Sequence, residues 1–371
     1  VLNEDNDRFF DLKIKLNMYK ARMPSLSACI IKNESIAWYG GYGFSKITKL
    51  KKPDIDTVYP IGCITKPVTA TAFMQLYEKG LFDLDDDVND YLNFSVRNPK
   101  YPDVPVTFRM LLAHQSSLVG QGIRDRLYLG FWSLLQPKNC PDPMIKEMIT
   151  PNGKLYNSWI WNDYPPGTEA NYSNMGYTLL EYIFIKLTNM PLADYCQDNI
   201  FKPLNMNNTG FCLSDFNKNQ LANTYQSIGP LYLRIPNIEL IDAVAGIKTS
   251  INDFSKFVIA HMNGGLYNGV RILNQTSVEI IHKIQYPNSS LCHGNQRYGF
   301  GWVHWMDEAN TTHFEGHGAA IFGETAMMML NMAEKSGILF FTNNMVPFFN
   351  LMAAKAWDSL LLMLINKAVE Y

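Results

Sequence analysis

The chain has 371 residues and a mass of 42.4 kDa, 47% hydrophobic and 18% charged, the profile of an ordinary globular protein with one large domain or two interleaved ones. Its 32 basic and 34 acidic residues leave a formal charge of -2 and mix along the chain, so no charged face steers it toward nucleic acid. The most apolar stretches, 337–342 and 360–365, fall short of the roughly 18 to 20 consecutive residues a membrane-spanning helix needs, which points to a soluble protein.

Over residues 8–19 the apolar side chains Phe9, Leu12, Ile14, Leu16 and Tyr19 recur at roughly helical spacing and predict a helix lying on something larger. Two strand-like runs follow, 26–31 and 36–42, separated by the polar break Lys32, Asn33 and Glu34, which makes a hairpin. After Pro60 the character changes to helix until Gly80 offers a C-terminal stop. Helices and loops then dominate to about residue 290. Strand character returns at 298–305, 311–314, 326–330 and 338–342, and a helix over about 349–368 closes the chain.

This order predicts an α+β fold, an antiparallel sheet flanked by N- and C-terminal helices with a large, mostly helical lobe inserted. Residues 1–62 and 291–371 form the sheet lobe in this reading and 63–290 the inserted lobe, with a cleft between them. No fixed-period repeat or low-complexity tract argues for a solenoid or a disordered segment.

Six cysteines (Cys29, Cys63, Cys140, Cys196, Cys212, Cys292) are scattered without a CxxC pair, which indicates neither a zinc site nor a dense disulfide framework and leaves one or two disulfides open. Glycosylation sequons at Asn33, Asn93, Asn171, Asn207, Asn274, Asn288 and Asn310 favour an extracytoplasmic protein. Val1 is neither an initiator methionine nor part of a signal-like apolar segment, so targeting is not legible.

Three short elements carry residues suited to chemistry. In Cys63-Ile64-Thr65-Lys66, where extended chain turns into helix, Cys63 and Lys66 share one helical face. A lysine ammonium and a helix N-terminus both favour a thiolate, although a lone cysteine near a helix start is more often a small buried hydrophobe. In Pro166-Gly167-Thr168-Glu169-Ala170-Asn171-Tyr172-Ser173-Asn174 a turn leads to a tyrosine and an asparagine two residues apart. Beside a lysine, Tyr172 could act as a base; by itself it would be a packed aromatic. In His313-Phe314-Glu315-Gly316-His317-Gly318-Ala319-Ala320 small residues let a substrate backbone approach a strand edge. His313 and His317, four apart on a strand, stand roughly 13 Å from one another at about 3.3 Å per residue, too far to share one metal ion.

In this order the three elements resemble the active-site motifs of the serine β-lactamase and penicillin-binding-protein (DD-peptidase) superfamily, specifically its class C β-lactamase-like branch. The resemblance extends over roughly residues 5–365 through further landmarks. They are Pro67-Val68-Thr69-Ala70, Gly80-Leu81-Phe82-Asp83-Leu84-Asp85-Asp86, Val106-Thr107-Phe108-Arg109-Met110-Leu111-Leu112-Ala113-His114, Ala245-Gly246-Ile247-Lys248-Thr249-Ser250 and Tyr298-Gly299-Phe300-Gly301-Trp302. The resemblance implies an acyl-transfer hydrolase that cleaves an amide, peptide or ester bond of a small-molecule or peptide substrate through a covalent acyl-enzyme. Cys63 would attack the carbonyl, Lys66 and Tyr172 would shuttle its proton, and Asn174 would hold the substrate's amide or the lysine. His317 would take the third motif's cationic or polar position, with Gly318 and Ala319 along the substrate and the backbone N–H groups of Cys63 and Ala320 as the oxyanion hole.

Two departures stand out. Cysteine occupies position 63 where the family has serine, and a natural or an exchanged cysteine predicts the same acylatable thiol. Ala319 adds a methyl where the family has glycine, close to where substrate would lie. The competing reading is a catalytically inactive member that keeps the cleft as a binding or assembly surface. Neither reading asks for a metal or an organic cofactor, and oligomeric state is open. Tyr128, Phe131, Trp132, Trp159 and Trp161, ahead of the second motif, are candidates for an apolar acyl-binding wall, with core packing the commoner fate of such residues.

Overall fold

The computed structural model describes residues 4–119, 143–229, 231–240, 242–291, 296–306 and 312–371. Its centre is a seven-stranded antiparallel sheet whose strands come from the two ends of the sequence. In chain order they are β1 (Ser25–Lys32), β2 (Ser35–Gly43), β3 (Gln296–Tyr298), β4 (Val303–Met306), β5 (Thr312–Ile321), β6 (Glu324–Asn331) and β7 (Ser336–Thr342), arranged in space as β3-β4-β5-β6-β7-β1-β2. The α+β expectation holds.

The apolar alternation of the central strands covers both sheet faces. Leu26, Ala28 and Ile30 of β1 join Ile338 and Phe340 of β7 beneath α1 (Glu4–Lys20) and the C-terminal helix, Leu351–Val369. Cys29, Ile31, Leu339 and Phe341 point the other way, into the larger core shared with α2 (Thr65–Glu78), α3 (Asn174–Thr188), α4 (Ile251–Met262) and α5 (Gln275–His282). The C-terminal helix is α6. Such two-sided burial explains why β1 and β7 read as mostly apolar runs, broken in β1 only by the buried Ser27.

The hairpin between β1 and β2 turns at Asn33 and Glu34, both with positive φ (46° and 69°), the geometry that matches the twist of two adjoining strands. Residues 298–305 do not form the single strand expected. The chain breaks between β3 and β4, because Gly301 takes φ 73° and brings its backbone so close to the Lys66 carbonyl that a Cβ there would stand 2.8 Å from it. The run that began at Thr311 in the sequence reading is described from Thr312 and continues as a ten-residue strand to Ile321, so the third motif lies wholly on β5. A further hairpin, Thr224–Ile228 with Leu231–Ile235, lies in the stretch read as helices and loops.

Strand β5 has an asymmetric environment. It pairs with β4 only through Gly316, but with β6 through Ile321. Beyond Gly316 its β4-side edge has no strand partner among the described residues, and there the short turn Gly62–Ile64 packs against it.

The outer helix α6 is seated by Trp357, which stacks on Phe340 of β7 with ring centroids 4.7 Å apart. Replacing Trp357 with Ala removes that contact and leaves a cavity in a buried layer, so Trp357→Ala is expected to destabilise the fold by about 3–5 kcal/mol. Urea unfolding followed by circular dichroism measures the change; a loss under 1 kcal/mol would mean that α6 is held by other contacts.

Candidate active site

Cys63 sits in the turn Gly62–Ile64 that feeds directly into α2, half-buried against Tyr172 and Tyr298. Gly62 has φ 48°, and the space a side chain would need is taken by the Glu324 carboxyl and by the Ala319 methyl, 3.0 Å from the Cβ position. One turn on, Lys66 is fully buried. Its Nζ donates to the carbonyl of Val244 at 3.2 Å and lies 4.8 Å from the ring centroid of Tyr172 and 5.5 Å from that of Tyr177. A buried ammonium against two aromatic faces is a cation–π arrangement that replaces part of the lost hydration.

The second motif is shaped by His114, whose φ of 57° turns two of its acceptors toward one segment. Its carbonyl accepts from the Asn171 N–H at 2.9 Å and its Nδ1 from the Ser173 N–H at 3.0 Å, so the backbone on both sides of Tyr172 is clamped. Ser173 then caps α3, its Oγ accepting from the Gly176 N–H at 3.0 Å, which makes Asn174 the first residue of that helix. Tyr172 packs against the rings of His114 (centroids 4.5 Å apart) and His317 (5.7 Å).

The hydrogen bonds fix opposite tautomers for these two imidazoles. His114 accepts at Nδ1, so as a neutral ring it carries its proton on Nε2. His317 donates from Nδ1 to the Gly318 carbonyl at 2.9 Å, so its Nε2 is a lone pair. Both rings are neutral, since burial first and the Lys66 charge second push His114 well below the ordinary histidine value and His317 down to about 3. Of the two alternatives expected at position 317, cationic or polar, burial favours the neutral polar one.

The structure also revises the reading of Tyr172. Burial first, and the neighbouring Cys63 next, push its phenol well above its ordinary value, so the resting group is a phenol and not a phenolate base. Its hydroxyl meets the Cys63 side chain without a well-aligned hydrogen bond. Ala319 differs from expectation as well. Strand alternation turns its methyl under the nucleophile turn, where it is 6% exposed, while Gly318 lies on the opposite face against Met327. Position 320, whose N–H the sequence reading assigned to the oxyanion hole, lies on the stretch of β5 beyond its pairing with β4, beside the turn that holds Cys63.

Sequence reasoning missed two features. One is His114, although it ends a landmark quoted above. The other is a buried chain of side chains behind the motifs. The Thr71 hydroxyl donates to the Pro67 carbonyl at 2.9 Å and so accepts from His261 Nε2 at 3.0 Å; His261 Nδ1 meets His282 Nε2 at 3.0 Å. His282 Nδ1 lies 3.1 Å from one oxygen of Glu315, and His304 Nε2 lies 3.4 Å from the other. Burial alone would raise the Glu315 carboxyl, but His282 and His304 outweigh it and hold the group below its ordinary value. The chain joins α2, α4 and α5 to β4 and β5 behind the motifs; no sequence spacing announces it, because each partner comes from a different element.

Of the proposed acyl-binding wall, Trp161 is core, 5% exposed with its indole N–H directed to the Ile149 carbonyl at 3.4 Å. Trp159 is half-buried, and Tyr128, Phe131 and Trp132 lie outside the described residues. So do Cys140, Cys292 and the sequon at Asn310, as does the side chain of His313. Among the described cysteines, Cys29, Cys63 and Cys196 are free thiols. Among the described residues no group of three or more His, Cys, Asp or Glu side chains is placed to hold a metal ion.

Comparison with known proteins agrees with this architecture. The Beta-lactamase family model matches residues 10–361, and the chain belongs to that family. Protein flp of Staphylococcus aureus (strain MRSA252) is 24% identical over 346 residues, 92% of this chain and 64% of that protein, so the chain spans less than two-thirds of this relative's length. The octameric penicillin-binding protein homologue from Pyrococcus abyssi has the same fold, with a TM-score of 0.75 at 24% identity over 94% of this chain and 76% of that one. A β-lactamase/D-alanine carboxypeptidase from Pseudomonas syringae matches with a TM-score of 0.69 at 18% identity over 95% and 98% of the two chains.

The buried titratable groups set the pH profile of stability. His114, His261, His304 and His317 lie below the ordinary 6.5. Below pH 6.5 the unfolded chain therefore binds protons that the native one does not, and their contribution to stability rises with pH. Glu181 and Glu324 are pushed, mainly by burial, from 4.5 to about 8. Across that window the native chain keeps protons the unfolded one has lost, so their contribution falls with pH. Four rising groups against two falling ones give a melting temperature that climbs to a maximum at about pH 6.5 and then declines toward pH 8. Glu181→Gln should flatten the alkaline limb in scanning calorimetry. A melting temperature that keeps rising to pH 8 would contradict the assignment.

Proposed function

We propose that this chain is an acyl-transfer hydrolase that cleaves an amide, peptide or ester bond through a thioester at Cys63. The observation that carries the reading is the convergence of the Cys63 thiol, the Tyr172 hydroxyl and the buried Lys66 ammonium at one turn beside the stretch of β5 that has no β4-side partner among the described residues. A cleft kept only for binding gains nothing from an ammonium buried beside a nucleophile.

In this mechanism a substrate backbone lies along β5 from His317 to Ala320 and places its carbonyl at Cys63. The sulfur attacks the carbonyl carbon while the C=O electron pair moves onto oxygen, between the N–H groups of Cys63 and Ala320. The thiol proton passes to the Tyr172 oxygen as that hydroxyl releases its own proton to the leaving group. The phenol thus works as a relay, consistent with its high resting affinity for its proton. Lys66 supplies fixed positive charge to the developing negative centre, and the helix N-terminus adds to it. Collapse expels an alcohol or amine and leaves the thioester; water attacks along the same route and releases the acid. Asn174 holds the substrate's amide. The neutral imidazole of His317 offers no cation to pair with a substrate carboxylate.

The test is intact-protein mass spectrometry after incubation with a penicillin, a p-nitrophenyl ester and an iodoacetamide control, with the modified residue mapped by digestion. One acyl adduct on Cys63 is expected, lost in Cys63→Ala. Its rate should fall by about a hundredfold or more in Tyr172→Phe, which keeps the ring but not the relay. Labelling spread over several cysteines, or unchanged in Tyr172→Phe and Lys66→Met, would refute the mechanism and favour a binding role.

A further inference from the structure

The buried side chains behind the motifs settle where their protons sit. The Thr71 hydroxyl gives its one proton to the Pro67 carbonyl, so His261 donates to it from Nε2. His261 is held neutral by burial first and by His282 second, so its Nδ1 is a lone pair. The contact at 3.0 Å between that nitrogen and His282 Nε2 is therefore a donation from His282. With one nitrogen so committed, the other, Nδ1, stands 3.1 Å from Glu315 Oε1. A neutral His282 would point a lone pair at a buried carboxylate.

His304 does not relieve that contact. Burial keeps it neutral and its proton goes to the His282 carbonyl, so its Nε2, 3.4 Å from Glu315 Oε2, is a lone pair as well. Acceptors facing one another in a buried space repel unless a proton lies among them. Two further observations place that proton on His282. The residue ends α5, where the helix dipole favours a cation, and its ring lies against the indole of Trp302 with centroids 4.4 Å apart. The titratable groups facing it are His261 from α4, His304 from β4 and Glu315 from β5, and Glu315 is the anion among them.

We propose that His282 is an imidazolium paired with the Glu315 carboxylate, and that the two are positioning residues for acylation of Cys63, acting through the placement of β5. Glu315 is the cross-strand neighbour of His304 and precedes Gly316, the last residue of β5 paired with β4. From His317 to Ala320 the β4-side edge has no strand partner among the described residues, so the ion pair ties β5 to α5 where strand pairing stops. Loss of the proton sets lone pair against carboxylate and drives the strand away from α5. The role in acylation rests on the acyl-transfer reading; the ion pair does not.

Nitrogen-15 NMR of the histidine-labelled protein at neutral pH tests the ion pair directly. His282, assigned by its absence in His282→Asn, is expected to carry protons on both ring nitrogens. Where that variant does not fold, contacts of the ring protons with the Trp302 indole assign the signal. An unprotonated Nδ1 on His282 overturns the pairing. Glu315→Gln sets an amide donor against a neutral Nδ1, so it replaces the ion pair by a hydrogen bond that needs no extra proton. The ratio of wild-type to Glu315→Gln rates of Cys63 acylation by a p-nitrophenyl ester should therefore fall by about threefold or more as pH rises through the alkaline range. A ratio that stays constant overturns the positioning role. A wild-type chain that takes no acyl group refutes the acyl-transfer reading and the positioning role with it, while the NMR result decides the ion pair on its own.

Discussion

A lysine ammonium with no exposure to solvent sets the terms for everything around it. Lys66 is fully buried one turn after Cys63, and a charge so placed survives only with carbonyls, aromatic faces or anions around it. The Val244 carbonyl and the rings of Tyr172 and Tyr177 supply the first two. Burial first and that charge second then set the state of its neighbours. His114 and His317 are kept neutral by burial and by Lys66 together, and a neutral imidazole has to commit each nitrogen to one role. That Nε2 is a donor on one ring and an acceptor on the other follows from where each Nδ1 is already bound.

The scaffold holds this charge by tying the motifs from behind. Gly301 rests its backbone on the Lys66 carbonyl, so the break between β3 and β4 positions the start of α2. The Thr71–His261–His282–Glu315–His304 chain runs from α2 to the strand that carries His317, two residues beyond Glu315. Because alternate residues of β5 share a face, Glu315, His317 and Ala319 all point into the core beneath the site, and the brace and the motif are set by one strand register. Helix α2 and β5 are therefore fixed to each other by packing and by polar contacts, while the β4-side edge of β5 beyond Gly316 has no strand partner among the described residues.

Periodicity made the terminal helices, the first hairpin and β7 legible, because each buries a face whose spacing shows in the sequence. It failed where a single backbone angle decides. Gly301 splits what reads as one strand, and the hairpin of Thr224–Ile228 with Leu231–Ile235 reads as loop because its burial alternates only weakly. Cys63, Lys66, Tyr172 and His317 were legible from the motifs, since spacing along one chain carries them. Protonation states were not legible, because they arise from burial and from charges brought by other elements. Tyr172 beside a lysine suggests a base; Tyr172 beside a lysine, without solvent, between two neutral histidines is a phenol.

The alanine in the third motif shows how a departure from a family pattern is read once the side chain's direction is known. Along an extended strand neighbouring side chains point to opposite faces, so Ala319 and Gly318 cannot both face the same neighbour. The methyl at 319 lies beneath Gly62, and the Glu324 carboxyl fills the remaining space at that position. Three residues from two segments thus meet behind the nucleophile. A side chain at 62 would displace the turn, and a larger one at 319 would lift it. The extra methyl therefore acts on the support of Cys63 and leaves the strand edge unobstructed. Any effect of Ala319 on substrate choice runs through the position of the sulfur.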